Sequence, residues 1–237
     1  MWNNSPLMII TWLSYLSFSV DSYPLNQQKR STTFRWENPC LLQVQTDTQS
    51  LQPAVIPLKV ALQQIYQKAN LQRDAAITLR KHYIPTLGER ITNPFLIKYL
   101  ESAEMDELDL IEESTHCENN ITVTLLEDYR RLSFLAVFLE KVVEDEVFYE
   151  HGELYDNMKP VQDYLYQLMC DMHTTIYTVV NGAITNHVTR EVMSDELRNL
   201  SDDRASRYYR DYTIVSKDIE FLSQFSDKYL NITKSIS

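Results

Sequence analysis

Four long stretches of helical periodicity follow one another in this chain, and the links between them are long, short, long. Each stretch is about 25 residues, roughly 37 Å as a helix. The middle link is about seven residues and reaches only about 25 Å at full extension. It cannot return the chain to the far end of a bundle, so the second and third helices must be antiparallel. The outer links can span that length, and they permit parallel neighbours. The pattern predicts an all-α, up-up-down-down four-helix bundle with two long crossover loops. The alternative is an up-down bundle with decorated loops. Gly88, Gly152 and Gly182 are the only glycines, too few for the turns that sheets and phosphate loops require.

The first helix is expected from about Pro53 to His82, on a stripe through Leu58, Leu62, Ile65, Ala69, Ala76, Leu79 and Tyr83. Gln72 interrupts it. Pro85, Gly88 and Pro94 then break helical continuity. Phe95 to Leu100 is apolar enough to pack as a short helix, and the acidic run Glu101 to Glu113 is expected to be solvated. The second helix spans about Thr122 to Phe148, with Leu125, Tyr129, Leu132, Ala136, Leu139 and Val143 inward, Thr122 as N-cap and Gly152 just past its end. The third, about Asp156 to Val180, has the cleanest stripe, through Met158, Val161, Leu165, Leu168, Met172 and Ile176. Pro160 falls in its first turn, where it is tolerated. The fourth, about Asp203 to Leu230, carries Tyr208, Tyr212, Val215, Ile219, Leu222, Phe225 and Tyr229, capped by Asp202 or Asp203.

Leu7 to Val20 is an apolar run of h-region length, so residues 1–22 read as a signal peptide cut after Ser22. A membrane anchor is the alternative, but the run falls short of the roughly 20 residues needed to span. Residues 23–52 read as an extended N-terminal segment with a dibasic pair at Lys29-Arg30, and residues 53–237 as the helical domain. The expected location is extracellular, where disulfides are permitted. Cys40, Cys117 and Cys170 allow one internal bridge and leave one thiol. Sequons begin at Asn120, Asn199 and Asn231, in predicted links or at a helix end.

The net charge of −11 disfavours nucleic acid and anionic lipid as partners. No phosphate loop, dinucleotide motif, H-E-x-x-H or C-x-x-C occurs, and the five histidines lack metal-ligand spacing. Glu144-Asp145-Glu146 lacks the paired E-x-x-H motifs of a bundle-core metal site. The expectation is therefore no enzyme, no cofactor and no metal. Tyrosine is abundant, at fifteen residues. Tyr208, Tyr209 and Tyr212 gather at the start of the fourth helix, as interface anchors or as core-edge residues. Adjacent helical positions diverge by about 100°, so at least one of the three should face solvent.

Three segments carry a family resemblance. Tyr129-Arg130-Arg131-Leu132 through Leu139-Glu140-Lys141-Val142-Val143-Glu144-Asp145, with the stripe that follows, resembles the second and third helices of ciliary neurotrophic factor and cardiotrophin. Leu222-Ser223-Gln224-Phe225 resembles that group's leucine-serine-glutamine-aromatic segment, and Leu79-Arg80-Lys81-His82 is similar in character to the end of its first helix. These are long-chain helical cytokines of the interleukin-6 type, a group that includes leukemia inhibitory factor and oncostatin M. The resemblance implies a secreted ligand that joins class I cytokine receptor ectodomains, including a shared signal-transducing chain, and triggers intracellular kinase signalling. No second apolar run of that kind follows Leu7 to Val20, so no membrane insertion is expected after signal-peptide removal. The resemblance puts the phenylalanine and lysine that contact a second receptor in the leukemia inhibitory factor branch at Tyr209 and Tyr212, beside Tyr208. Tyr212 departs from lysine. A further contact surface is implied on the outer faces of the first and third helices. The resemblance also implies a Cys40–Cys170 bridge, with Cys117–Cys170 as the rival. A secreted helical carrier of a hydrophobic small molecule is the competing function.

Overall fold

The described helices pack with their apolar stripes inward, and the stripes are the predicted ones. The computed structural model describes residues 35–36, 38–40, 56–90, 106–111, 120–180, 188–200 and 203–236. All of them belong to one compact unit, Thr33–Ser237. The predicted signal peptide, Lys29-Arg30, the Phe95–Leu100 helix and Cys117 lie outside the described residues. The long helices are α1 (Leu58–Arg90), α2 (Ile121–Tyr149), α3 (Tyr155–Val180) and α4 (Arg204–Ser235). Short helical pieces occur at Asp106–Ile111, Arg190–Val192 and Asp195–Arg198. No strand occurs among the described residues, so the fold there is all-α. None of the described helices is long and apolar enough to cross a membrane.

Helix ends depart from expectation in physically legible ways. α1 runs through Pro85 rather than stopping near His82. Proline removes one helical hydrogen bond, but here it falls near the end, where little helix remains to disrupt. Thr86 Oγ1 donates to the His82 carbonyl at 3.0 Å, which ties this last part together. α2 is capped by Asn120 rather than Thr122, with Asn120 Oδ1 accepting from Thr122 N at 3.0 Å. Past the end of α2, Gly152 takes φ +77° and its N–H donates to the Glu146 carbonyl at 3.0 Å. A side chain is strained in that left-handed conformation, which is why glycine closes the turn. α4 starts on its predicted cap, Asp203, whose carboxylate accepts from Ser206 N at 3.1 Å. It runs past Leu230, where Ile232 still packs, partly buried, against the core.

Contacts at the helix ends fix the pairwise directions. Lys59 Nζ donates to the Ile236 carbonyl at 2.7 Å, and Tyr83 meets Tyr208 edge-on at 6.2 Å, so α1 and α4 run antiparallel. Tyr166 bonds Glu140 while Tyr129 lies 6.1 Å from His173, so α2 and α3 run antiparallel, as their short link requires. Tyr229 bonds Asp128 at 3.0 Å and Arg210 bonds Asp145 at 2.6 Å, so α2 and α4 are antiparallel too. Lys68 Nζ donates to Gln167 Oε1 at 2.7 Å between α1 and α3. α1 packs chiefly on α3 and α4, and α2 on α3. Parallel neighbours, which the long links permit, are not among these packed pairs.

Three segments thought to be polar or peripheral belong to the core. Gln72 is fully buried, and its amide donates to Asp218 Oδ1 at 3.0 Å between α1 and α4. Leu108 and Ile111 of the acidic run are buried against α2 and α4, because an i, i+3 pair of apolar residues makes one face of a turn. Trp36, from the segment expected to be extended, is fully buried. Its indole N–H donates to the Val188 carbonyl at 2.9 Å, and the Arg35 guanidinium stacks 4.0 Å from the centre of the Tyr166 ring. The packed unit therefore includes residues 35–36 and 38–40 as well as the long helices.

Candidate functional site at one end of the bundle

Because α4 runs antiparallel to α2, its first turns lie against the α2–α3 turn. Arg207 and Arg210 are both buried there. Arg210 is wholly enclosed and nearly saturated as a donor. Its Nη2 donates to Asp145 Oδ2 at 2.6 Å, its Nε to Asp211 Oδ1 at 2.8 Å and its Nη1 to the Leu197 carbonyl at 2.8 Å. Lys141 Nζ lies 2.8 Å from Asp145 Oδ1, an ion pair without the alignment of a hydrogen bond. Two cations and two carboxylates thus neutralise one another out of water, where a lone charge would be costly. Burial pushes the Asp211 carboxyl up to about 7, against the pull of Arg210.

One turn away, Arg207 Nη2 donates to Glu150 Oε1 at 3.0 Å, and Arg204 also bonds that carboxylate. Burial alone would raise the Glu150 carboxyl, but hydrogen bonds from Arg204, Tyr208 and Arg207 outweigh it and hold the group at about 2. Glu146 Oε1 accepts from Leu154 N at 2.6 Å and so caps the start of the hairpin's second arm. The acidic triplet of α2 therefore divides into roles. Glu144 is exposed, Asp145 is a counter-ion and Glu146 is a cap.

The tyrosine cluster splits as well. Tyr208 and Tyr212 are 2% and 7% exposed. Both pack on Tyr83, with ring centres 6.2 and 6.3 Å away. An i, i+4 pair shares one helix face, and here that face is the inward one. This corrects their reading as receptor contacts, since neither offers area to a partner. Tyr209, one position round, is half-buried and keeps a solvent-facing part. At the same end, sequence reading missed Phe148, which is 74% exposed beside Val147 at 49%. The signal was present. The α2 stripe continues from Val143 to positions 146 and 150, which turns 147 and 148 outward.

Cys40 and Cys170 are disulfide-bonded, with Cα atoms 5.1 Å apart, the pairing the family resemblance implies. Asn120, Asn199 and Asn231 are all exposed. Asn231 lies within α4 rather than beyond it, and Asn120 caps α2 through Oδ1, so a glycan on Nδ2 is compatible with the cap. Among the described residues, one cleft of about 130 Å³ lies beside the disulfide and one of about 300 Å³ lies at Glu140, Lys141, Glu144, Arg190 and Arg198. Both carry charged side chains in their walls, unlike the apolar lining a hydrophobic cargo needs.

No protein-family model, curated protein or solved structure matches this chain.

The buried carboxyls set a pH dependence with a definite sign. Glu150 is depressed, so its contribution is present above its unfolded value of about 4.3 and is lost as pH falls toward 2. Asp211 is raised, so the folded state is favoured below its unfolded value of about 3.9 and loses that advantage as pH climbs to about 7. Asp218, raised by burial, acts in the same direction. The melting temperature should therefore peak near pH 4–5 and fall toward pH 7.5, with a shallower fall in Asp211→Asn. A wild-type melting temperature that rises steadily from pH 5 to 7.5 contradicts this account.

Proposed function

We propose that this chain is a secreted helical cytokine of the interleukin-6 type, which catalyses nothing and works by bringing class I cytokine receptor ectodomains together. The shared signal-transducing chain is one of its partners, and kinase signalling inside the cell is the result. One observation carries the reading. α1 is antiparallel to α4, α4 to α2, and α2 to α3. Taken in order, these contacts support an up-up-down-down course, with the first and second helices parallel and the third and fourth opposed to them. The sequence resemblance leads to the same class by a separate route. In this reading the α1–α3 face, where Val60, Leu71 and Tyr177 are exposed, is one docking wall, and the end carrying Tyr209 is another.

The test is the secreted chain applied to cells that carry the shared receptor chain and a transcriptional reporter. The expected result is a saturable response that is absent from the same cells without that receptor chain. Tyr209→Ala should weaken the response several-fold while leaving the melting temperature close to wild type. Equal loss of stability and response would mark Tyr209 as a packing residue. Silence across cells that carry different class I receptors would contradict the proposed function itself.

A further inference from the structure

At the start of the last helix Tyr208 and Tyr212 are sealed against Tyr83, and of that cluster only half-buried Tyr209 keeps a solvent-facing part. The most exposed large apolar side chain among the described residues is at the end of α2 instead. It is Phe148, at 74%. Glu144, Val147 and Phe148 face solvent, an i, i+3, i+4 set on one side of α2, and His151 is exposed in the turn beyond it. Tyr155, also exposed, opens α3 just across the turn.

This aromatic rests on its neighbour. Its ring meets Tyr149 edge-on at 4.8 Å. Tyr149 in turn lies under the Arg207 guanidinium, 4.4 Å from the ring centre, and Arg207 is fixed by buried Glu150. The left-handed residues His151 and Gly152 close the turn behind it. A solvent-exposed phenylalanine gains nothing for folding. A large aromatic with only two side-chain torsions loses little entropy on docking, and that is the property of an interface anchor.

The charges around it indicate what would receive it. Glu144, Glu153 and Asp156 are exposed near the turn, Glu144 with the Lys141 ammonium 3.5 Å away. The basic residues at its base, Arg204 and Arg207, are already committed to Glu150. The exposed rim is therefore acidic. We propose that Phe148 is a receptor anchor of this chain, inserting into an apolar pocket bordered by lysine or arginine on a class I receptor ectodomain. The inference rests on the cytokine reading and adds a second aromatic anchor, at the end of α2, to Tyr209 on α4.

The experiment measures binding of the full secreted chain to a panel of immobilised class I receptor ectodomains. The panel is read with wild type, Phe148→Ala, Glu144→Lys and, as a control elsewhere on α2, Leu126→Ala. For at least one ectodomain, Phe148→Ala should weaken binding about tenfold or more, mainly through faster dissociation, with an unchanged melting temperature. Glu144→Lys should slow association with the same ectodomain, and Leu126→Ala should bind as wild type. Equal binding by wild type and Phe148→Ala to every ectodomain that wild type recognises overturns the anchor but leaves the cytokine reading intact. Wild type binding none of them overturns both. Phe148-dependent self-association, or Phe148-dependent binding to phosphatidylcholine vesicles in place of an ectodomain, also overturns the proposal.

Discussion

Trp36→Ala should cost about 3–5 kcal/mol of unfolding free energy, the range for deleting a fully buried aromatic. That is a large share of the roughly 5–15 kcal/mol that holds a typical domain together. Trp36 is wholly enclosed, and its indole N–H bonds the Val188 carbonyl at 2.9 Å, so truncation leaves both a cavity and a carbonyl without that donor. The disulfide from Cys40 to Cys170, across a sequence separation of 130, anchors the same segment. In the chain-entropy account a loop of that length is worth about 4–5 kcal/mol, less any strain. Reduction and Trp36→Ala should therefore not add fully, because each releases the segment that the other holds. Fluorescence offers a direct readout. Of the three tryptophans, Trp2 and Trp12 lie in or beside the leading apolar run. In a chain made without residues 1–22, Trp36 emits alone, and its blue-shifted emission should move to the red on reduction. A loss below about 1 kcal/mol for Trp36→Ala, against the range for buried aromatics, would show that the segment is not part of the core.

Arg210→Ala is the second large expectation, at about 3–5 kcal/mol, because it leaves Asp145 and Asp211 buried without their shared cation. It also frees the Leu197 carbonyl and so loosens the turn of helix before α4. The loss should be much smaller when the carboxylates go too, as in Arg210→Met with Asp145→Leu and Asp211→Leu, since a buried ion cluster can be replaced by apolar groups of similar volume. Chemical denaturation of the single and triple variants gives both numbers. A near-neutral Arg210→Ala would mean that the cluster is open to water. A triple variant no more stable than the single one would mean that shape, not charge, is what Arg210 supplies.

The stripes were legible because they depend only on local spacing. Leu62, Ile65, Leu132, Leu165, Met172, Leu222 and Phe225 are all buried as the 3.6-residue period requires. What could not be read was which polar residues share that burial. Gln72 was taken as a break in its stripe because its partner, Asp218, lies on a helix distant in sequence. Asp145 was read beside Glu144 and Glu146 as part of an acidic run, because Arg210 is likewise remote. Trp36 and Leu108 belong to segments without a helical period, so nothing local marked them as core. Of the tyrosines, geometry required only that not all three point inward. The α4 stripe already placed Tyr208 and Tyr212 inside, and Phe148 lay outside the α2 stripe for the same reason.

The claim on which the account depends is the course of the helices, and interproton contacts in solution test it most directly. In a protein with labelled tyrosines, nuclear Overhauser cross-peaks are expected between the rings of Tyr83 and Tyr208, whose centres are 6.2 Å apart, and between Tyr83 and Tyr212, at 6.3 Å. At the other end of the bundle, Tyr229 should show contacts to the start of α2 near Asp128. Cross-peaks from Tyr83 to Tyr229 in place of Tyr208 would mean that α1 and α4 run in the same direction, and the proposed bundle would be wrong.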